Sequence, residues 1–184
     1  MATFTADEIR SRVETDWNRI VKVLAEKVAL QSISAKGITA EQMKRSAEFV
    51  ADELRLVGVD AKVVQASNAD GTPGAWEVIG SHIVSPGAPT VLLYAHHDVQ
   101  PEGDHAQWNS SPFAATERDG RLYGRGTADD KAGIATHLAA FRAHGGFPPV
   151  GVTVFVEGEE ESGSPSLSRL LAAHRDTLAS DVIV

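Results

Sequence analysis

Helix and strand patterns follow one another here in the order helix, helix, strands, helix, strand, helix, strand, which predicts an α/β fold with a mixed sheet. Two apolar runs carry that reading. Thr90-Val91-Leu92-Leu93-Tyr94-Ala95 and Val150-Gly151-Val152-Thr153-Val154-Phe155-Val156 are short and rich in β-branched and aromatic residues. Turn residues precede both, at Pro86-Gly87-Ala88-Pro89 and Pro148-Pro149. That is the pattern of buried strands. The third observation is the helical segment of about Lys131 to His144 that links them, the usual crossover between parallel neighbours.

The remaining elements follow from spacing and punctuation. Ile9, Val13, Trp17, Ile20, Val21, Leu24 and Val28 recur at helical intervals behind a Thr5-x-x-Glu8 capping box, predicting one long first helix with Trp17 in the core. A second helix is expected from about Thr39, through Met43, Phe49, Val50 and Leu54, to a stop at Gly58. Ala61 to Val64 and Trp76 to Ile83 read as strands around a turn at Asn68-Ala69-Asp70-Gly71, and Arg118 to Tyr123 as a hairpin arm around Asp119-Gly120. Ser164-Pro165 is expected to open a helix, with proline in its first turn, that reaches about Leu178. Asp181-Val182-Ile183-Val184 begins a last strand. No internal repeat, low-complexity tract or interior linker interrupts this order.

Composition narrows the function classes. With 184 residues, 42% hydrophobic and 23% charged, the chain can bury the core of a single globular domain. A net charge of -8 argues against nucleic acid or an anionic membrane as partner. There is no cysteine, so neither a disulfide framework nor a thiolate metal site is available. Met1 to Glu8 lacks the basic and apolar regions of a secretion signal, and no apolar run approaches the ~20 residues of a membrane span. The expected compartment is the cytoplasm.

The chemistry concentrates in three clusters. His96-His97-Asp98 follows the first buried strand. A ring nitrogen there can bind an ion while a carboxylate two places on holds the other ring N–H. Asp129-Asp130 opens the crossover helix, and Glu157-Gly158-Glu159-Glu160-Glu161 follows the second strand. Each has a plainer reading: a solvated strand-end imidazole, first-turn acids complementing a helix dipole, a solvated acidic loop. If the two strands are parallel neighbours, however, all three clusters meet at one sheet edge. Carboxylates packed together repel unless cations compensate them, which favours a metal site.

The segments His96-His97-Asp98-Val99-Gln100-Pro101, Trp108 with Ser111-Pro112-Phe113, Asp119 to Lys131, and Glu160-Glu161-Ser162-Gly163-Ser164 keep a recognisable order and spacing. In them the chain resembles the N-terminal part of the zinc-dependent peptidases and deacylases that include carnosine dipeptidases, aminoacylases, acetylornithine deacetylase and succinyl-diaminopimelate desuccinylase. The Asp-Val-Gln-Pro and Tyr-Gly-Arg-Gly wording is closest to the dipeptidase branch. The resemblance implies a three-layer, phosphorylase/hydrolase-like catalytic domain with a mixed, mostly parallel sheet. It implies His96 as a terminal ligand of one metal, Asp98 as the partner that orients it, and Asp129 as a bridge between two metals, with a cis peptide before Asp130. Glu160 becomes the general base and Glu161 a ligand of the second metal, with Glu159 a bystander once the acidic run is aligned on Ser162-Gly163-Ser164.

By the same resemblance the cofactors are two divalent ions, zinc with manganese or cobalt as substitutes. The substrate is a dipeptide or, alternatively, an N-acyl amino acid. A further carboxylate and a final histidine are expected beyond Val184. Residues 1–184 then form the N-terminal portion of a catalytic domain, without its remainder or the inserted lid and dimerisation domain. The full-length form is expected to be a homodimer, and the fragment alone to bind zinc weakly and turn over negligibly. Asp181 is expected to be a cap or turn acid, and His105, His137, His144 and His174 surface or packing residues.

Overall fold

The computed structural model describes residues 4–34, 40–85, 87–146 and 148–184; the helix start expected at Thr39 and the turn residue Pro86 lie outside them. In chain order the elements are α1 (Ala6–Thr15), α2 (Trp17–Ala29), α3 (Ala40–Leu56), β1 (Asp60–Ser67), β2 (Pro73–His82) and β3 (Thr90–His96). There follow β4 (Thr116–Arg118), β5 (Arg121–Tyr123), α4 (Lys131–Ala143), β6 (Gly151–Glu157), α5 (Leu167–Ala173), α6 (Arg175–Leu178) and β7 (Val182–Ile183). Five strands form one mixed sheet in the order β1-β2-β6-β3-β7. The β1/β2 and β2/β6 pairs are antiparallel, while β6/β3 and β3/β7 are parallel. β4 and β5 make the small hairpin, turned at Asp119 (φ 50°) and Gly120 (φ 70°).

The sheet is covered on both faces, giving three layers. On one face Val23 of α2, Val50 and Leu54 of α3, and Ile134, Leu138 and Phe141 of α4 pack on Val78, Ala95, Val154 and Val156. On the other, Leu170 of α5 packs with Ile79, Leu92 and Phe155. β6, central and apolar along its length, is buried at every position, as a strand covered on both faces must be. The parallel register sets His96 opposite Glu157. The C-terminal ends of β3 and β6 therefore open on the same edge, where ligands gather in open α/β sheets.

Two expectations are corrected. The first helix is two, broken at Asp16, whose N–H bonds back to the carbonyls of Arg12 and Glu14. Trp17, expected in the core, starts α2 and is 58% exposed. The helix after the acidic run begins at Leu167 instead of Pro165 and breaks at His174. The cause is a tertiary tie: the N–H and hydroxyl of Ser166 both donate to the Glu159 carboxylate at 2.6 Å. That holds residues 164–166 in a turn before the helix can propagate.

Candidate metal centre

β3 delivers its last residues into a closely held turn. His97 and Asp98 have no exposed surface and His96 is 5% exposed. Burial of this much polarity has to be offset by hydrogen bonds, and most of these groups make one, although His97 Nδ1 and Glu157 Oε1 find none among the described residues. His97 N–H continues the ladder to Glu157 O at 2.8 Å. Its ring leaves the edge altogether, with Nε2 2.7 Å from Trp76 O. Burial pushes the His97 pKa down to about 4, so the ring is neutral and Nε2–H donates. This histidine faces away from its neighbour's chemistry.

His96 Nδ1 lies 3.1 Å from the Asp98 carbonyl and 3.3 Å from Asp98 Oδ1. Two acceptors at one nitrogen require a proton there. Nε2 then faces the cleft, 3.0 Å from Asp129 Oδ1 and 3.9 Å from Glu160 Oε2. Burial alone would lower the His96 pKa, but the hydrogen bond and charge of Asp98, followed by the bond to Asp129, outweigh it and raise the value to about 9. Burial would likewise raise the Asp98 pKa. It is nevertheless lowered, because His96, Ser34, His97 and the Glu161 N–H all favour the anion.

The acids arrive from two other elements. Asp130 caps α4, its Oδ1 accepting from Gly133 N–H at 3.1 Å, and its Oδ2 accepts from His96 N–H at 3.2 Å. The peptide between Asp129 and Asp130 is cis, and Asp129 is turned to the cleft with 77% of its side chain exposed. Glu160 and Glu161 lie in a short 3-10 turn, Glu160–Ser162, just past β6. Gln100 holds Glu161, its Nε2 donating to the Glu161 carbonyl and to Oε2, both at 2.9 Å. Glu159 faces Ser166 and is buried.

One ligand atom each from His96, Asp129 and Glu161 lies within 4.8 Å of the others. Among the described residues, the cationic partner of Asp129 and Glu160 is His96 itself. A histidine nitrogen with carboxylate oxygens is a donor set that suits zinc and related divalent ions.

The family model for Peptidase family M20/M25/M40 matches residues 92–183, half of the chain and all three clusters. The chain belongs to this family. It is 35% identical over 169 residues to the cysteinylglycine-S-conjugate dipeptidase of Corynebacterium striatum, covering 90% of this chain and 36% of that protein. It is 31% identical over 188 residues to the beta-Ala-His dipeptidase of Rattus norvegicus, covering 97% and 38%. The crystal structure of human carnosine dipeptidase 1 superposes with a TM-score of 0.84 at 29% identity, over 96% of this chain and 40% of that one. The chain therefore spans well under half the length of these relatives.

Within this M20/M25/M40 fold the other histidines lie as expected. His105 pairs with Glu102 on the surface, and His137 Nε2 packs 2.8 Å from Tyr94 O. The His144 ring lies tilted at 60° to that of Phe4, centroids 6.3 Å apart, and half-buried His174 caps the end of α5. Asp181 is a turn acid, its Oδ2 accepting from Thr90 N–H at 2.8 Å. Sequence reasoning missed Gln100, the second role of Asp130 and the serines of Gln31-Ser32-Ile33-Ser34. Only the alternation of Ser32 and Ser34, two residues apart on one side of a short extended segment, offered a signal.

Proposed function

We propose that this chain is the N-terminal portion of the catalytic domain of a dinuclear metal-dependent hydrolase that cleaves the amide bond of dipeptides. What supports it is the convergence of His96, Asp129 and Glu161 on one point of the sheet edge, together with dipeptidase relatives. In this reading His96 holds one ion, Glu161 the other and Asp129 both, with zinc the metal that the donor set favours. When bound, the ions supply Lewis acidity toward the scissile carbonyl and lower the pKa of water. Asp98 fixes the tautomer and tilt of the His96 ring. Glu160, half-exposed at the rim with its Oε2 3.9 Å from His96 Nε2, takes a proton from water and returns it to the leaving nitrogen.

The remaining ligands belong, in this proposal, to sequence beyond that described. The full protein acts in the cytoplasm as a homodimer on small peptides, and the net charge of -8 speaks against a nucleic-acid partner. No helix among the described residues is long and apolar enough to cross a membrane. Assay of the full-length protein against a dipeptide panel and matched N-acyl amino acids tests the reading. Metal-dependent release of free amino acids from dipeptides is expected. Preference for N-acyl amino acids would move the assignment to a deacylase, and hydrolysis unaffected by His96→Ala would overturn the metal centre.

A further inference from the structure

Residues 32–34 form a second layer under the metal-binding turn. Ile33 bridges in parallel to Val99. Ser34 N–H donates to Val99 O and Val99 N–H to Ser32 O, both at 2.9 Å. The side chains continue the tie. The buried hydroxyl of Ser32 donates to His97 O, and the hydroxyl of Ser34 donates to Asp98 Oδ2. The same Oδ2 accepts the Glu161 N–H at 3.1 Å, leaving Oδ1 turned toward His96 Nδ1 at 3.3 Å.

A carboxylate rotates easily about its bond to Cβ, and Asp98 has no exposed surface through which water could fix it. Its orientation therefore depends on the donors that reach it. Of the two on Oδ2, the Glu161 N–H belongs to a surface turn, whereas Ser34 is held by backbone pairing to the residue after Asp98. Removing the hydroxyl would leave a buried anion one donor short and free to turn. It would slacken the His96 ring and, through the shared oxygen, the turn that carries Glu161.

We propose that Ser34 is a positioning residue for the metal centre, acting through Asp98 Oδ2 on both His96 and Glu161. This inference rests on the metal-centre reading above. Partners one step behind a ligand are worth ~10–100-fold in metal affinity, and Ser34 stands one step further back, so the lower end applies.

The test uses the full-length protein with four forms: parent, Ser34→Ala, Ser34→Thr and His96→Ala. Zinc affinity is measured by calorimetry, kcat and KM at saturating zinc, and melting of the metal-free protein by circular dichroism. Ser34→Ala should raise the zinc Kd about tenfold and leave KM for the dipeptide unchanged, while the metal-free protein melts a few degrees below the parent, as loss of a hydrogen bond to a buried anion requires. Ser34→Thr, which keeps the hydroxyl, should restore the affinity. The inference falls if Ser34→Ala binds zinc like the parent while His96→Ala loses it, a result that leaves the metal centre standing. It falls also if Ser34→Thr melts like the parent yet binds as poorly as Ser34→Ala. Equal zinc affinity in parent and His96→Ala would overturn both the inference and the function on which it rests.

Discussion

β3 and β6 run side by side, yet their two ends are built on different physics. At the N-terminal end, Leu92, Val152 and Val154 meet the helices through apolar contact, where interchangeable shapes suffice and few side-chain polar groups are buried, the Thr153 hydroxyl among them. At the C-terminal end, His96, His97, Asp98 and Glu157 are buried like the valines beside them. Nearly every one of them is tied across elements: His97 to Trp76, Tyr94 Oη to Glu157 Oε2 at 2.8 Å, and His96 N–H to Asp130. A damaged apolar end should lower stability and leave the site's chemistry intact in whatever remains folded. A damaged polar end should cost the site its metal as well as some stability.

The largest stability loss belongs to the apolar end. Leu138 of α4 is fully buried in the main cluster, so Leu138→Ala should cost ~2–5 kcal/mol by urea denaturation. Metal affinity of the folded fraction should be unchanged. Loss of metal at the same protein stability would erase the distinction between the two ends.

Gly158 sharpens the contrast. It sits between the polar end of β6 and the acidic turn, where an added Cβ would come within 2.2 Å of Trp76 O and 2.7 Å of His97 Nε2. Backbone cannot yield that far cheaply, so Gly158→Ala should cost ~1–3 kcal/mol. It should also weaken zinc binding, because the turn bearing Glu160 and Glu161 must shift. A variant with parental zinc affinity would show that this turn is not fixed from behind.

The polar end should also show a pH dependence. Burial raises the Glu77 pKa to about 8, against the opposing bond from Gly158 N–H at 2.6 Å, and the nearby Glu157, Glu159 and Asp98 charges add to the rise. A carboxyl whose folded pKa lies above its unfolded value favours the fold at low pH. Its contribution should be fully present below about 4.5 and lost as pH rises to about 8. Glu77→Gln removes that titration, so its stability relative to the parent should improve from pH 5 to pH 9. A constant difference across that range would contradict it.

Much of this was legible in the sequence. Strand positions, the crossover helix and the stop at Gly58 (φ 90°) follow from apolar period and turn chemistry, which are local. The break at Asp16 did not, because the apolar period runs straight through it. The corner is pinned by Arg142 Nε on the Asp16 carboxylate at 2.6 Å, a contact across 126 residues that no spacing reveals. Glu159 illustrates the same limit. Its exclusion from the cleft could be read from Ser162-Gly163-Ser164, but not its grip on Ser166. At the site, the meeting of the three clusters at one edge was readable because parallel pairing brings strand ends together, and the family resemblance singled out His96, Asp129 and Glu161 within them. The orienting groups, Ser34 and Gln100, were not, because each acts across more than sixty residues.

In the proposed mechanism, neighbouring glutamates at the polar end hold different offices, Glu160 as base and Glu161 as ligand. Bound metal per protomer, measured by elemental analysis after dialysis of full-length Glu160→Gln and Glu161→Gln, tests it directly. Glu160→Gln should keep its metal while kcat falls ~10²–10⁴-fold, and Glu161→Gln should lose metal. Metal loss in Glu160→Gln with full retention in Glu161→Gln would contradict it.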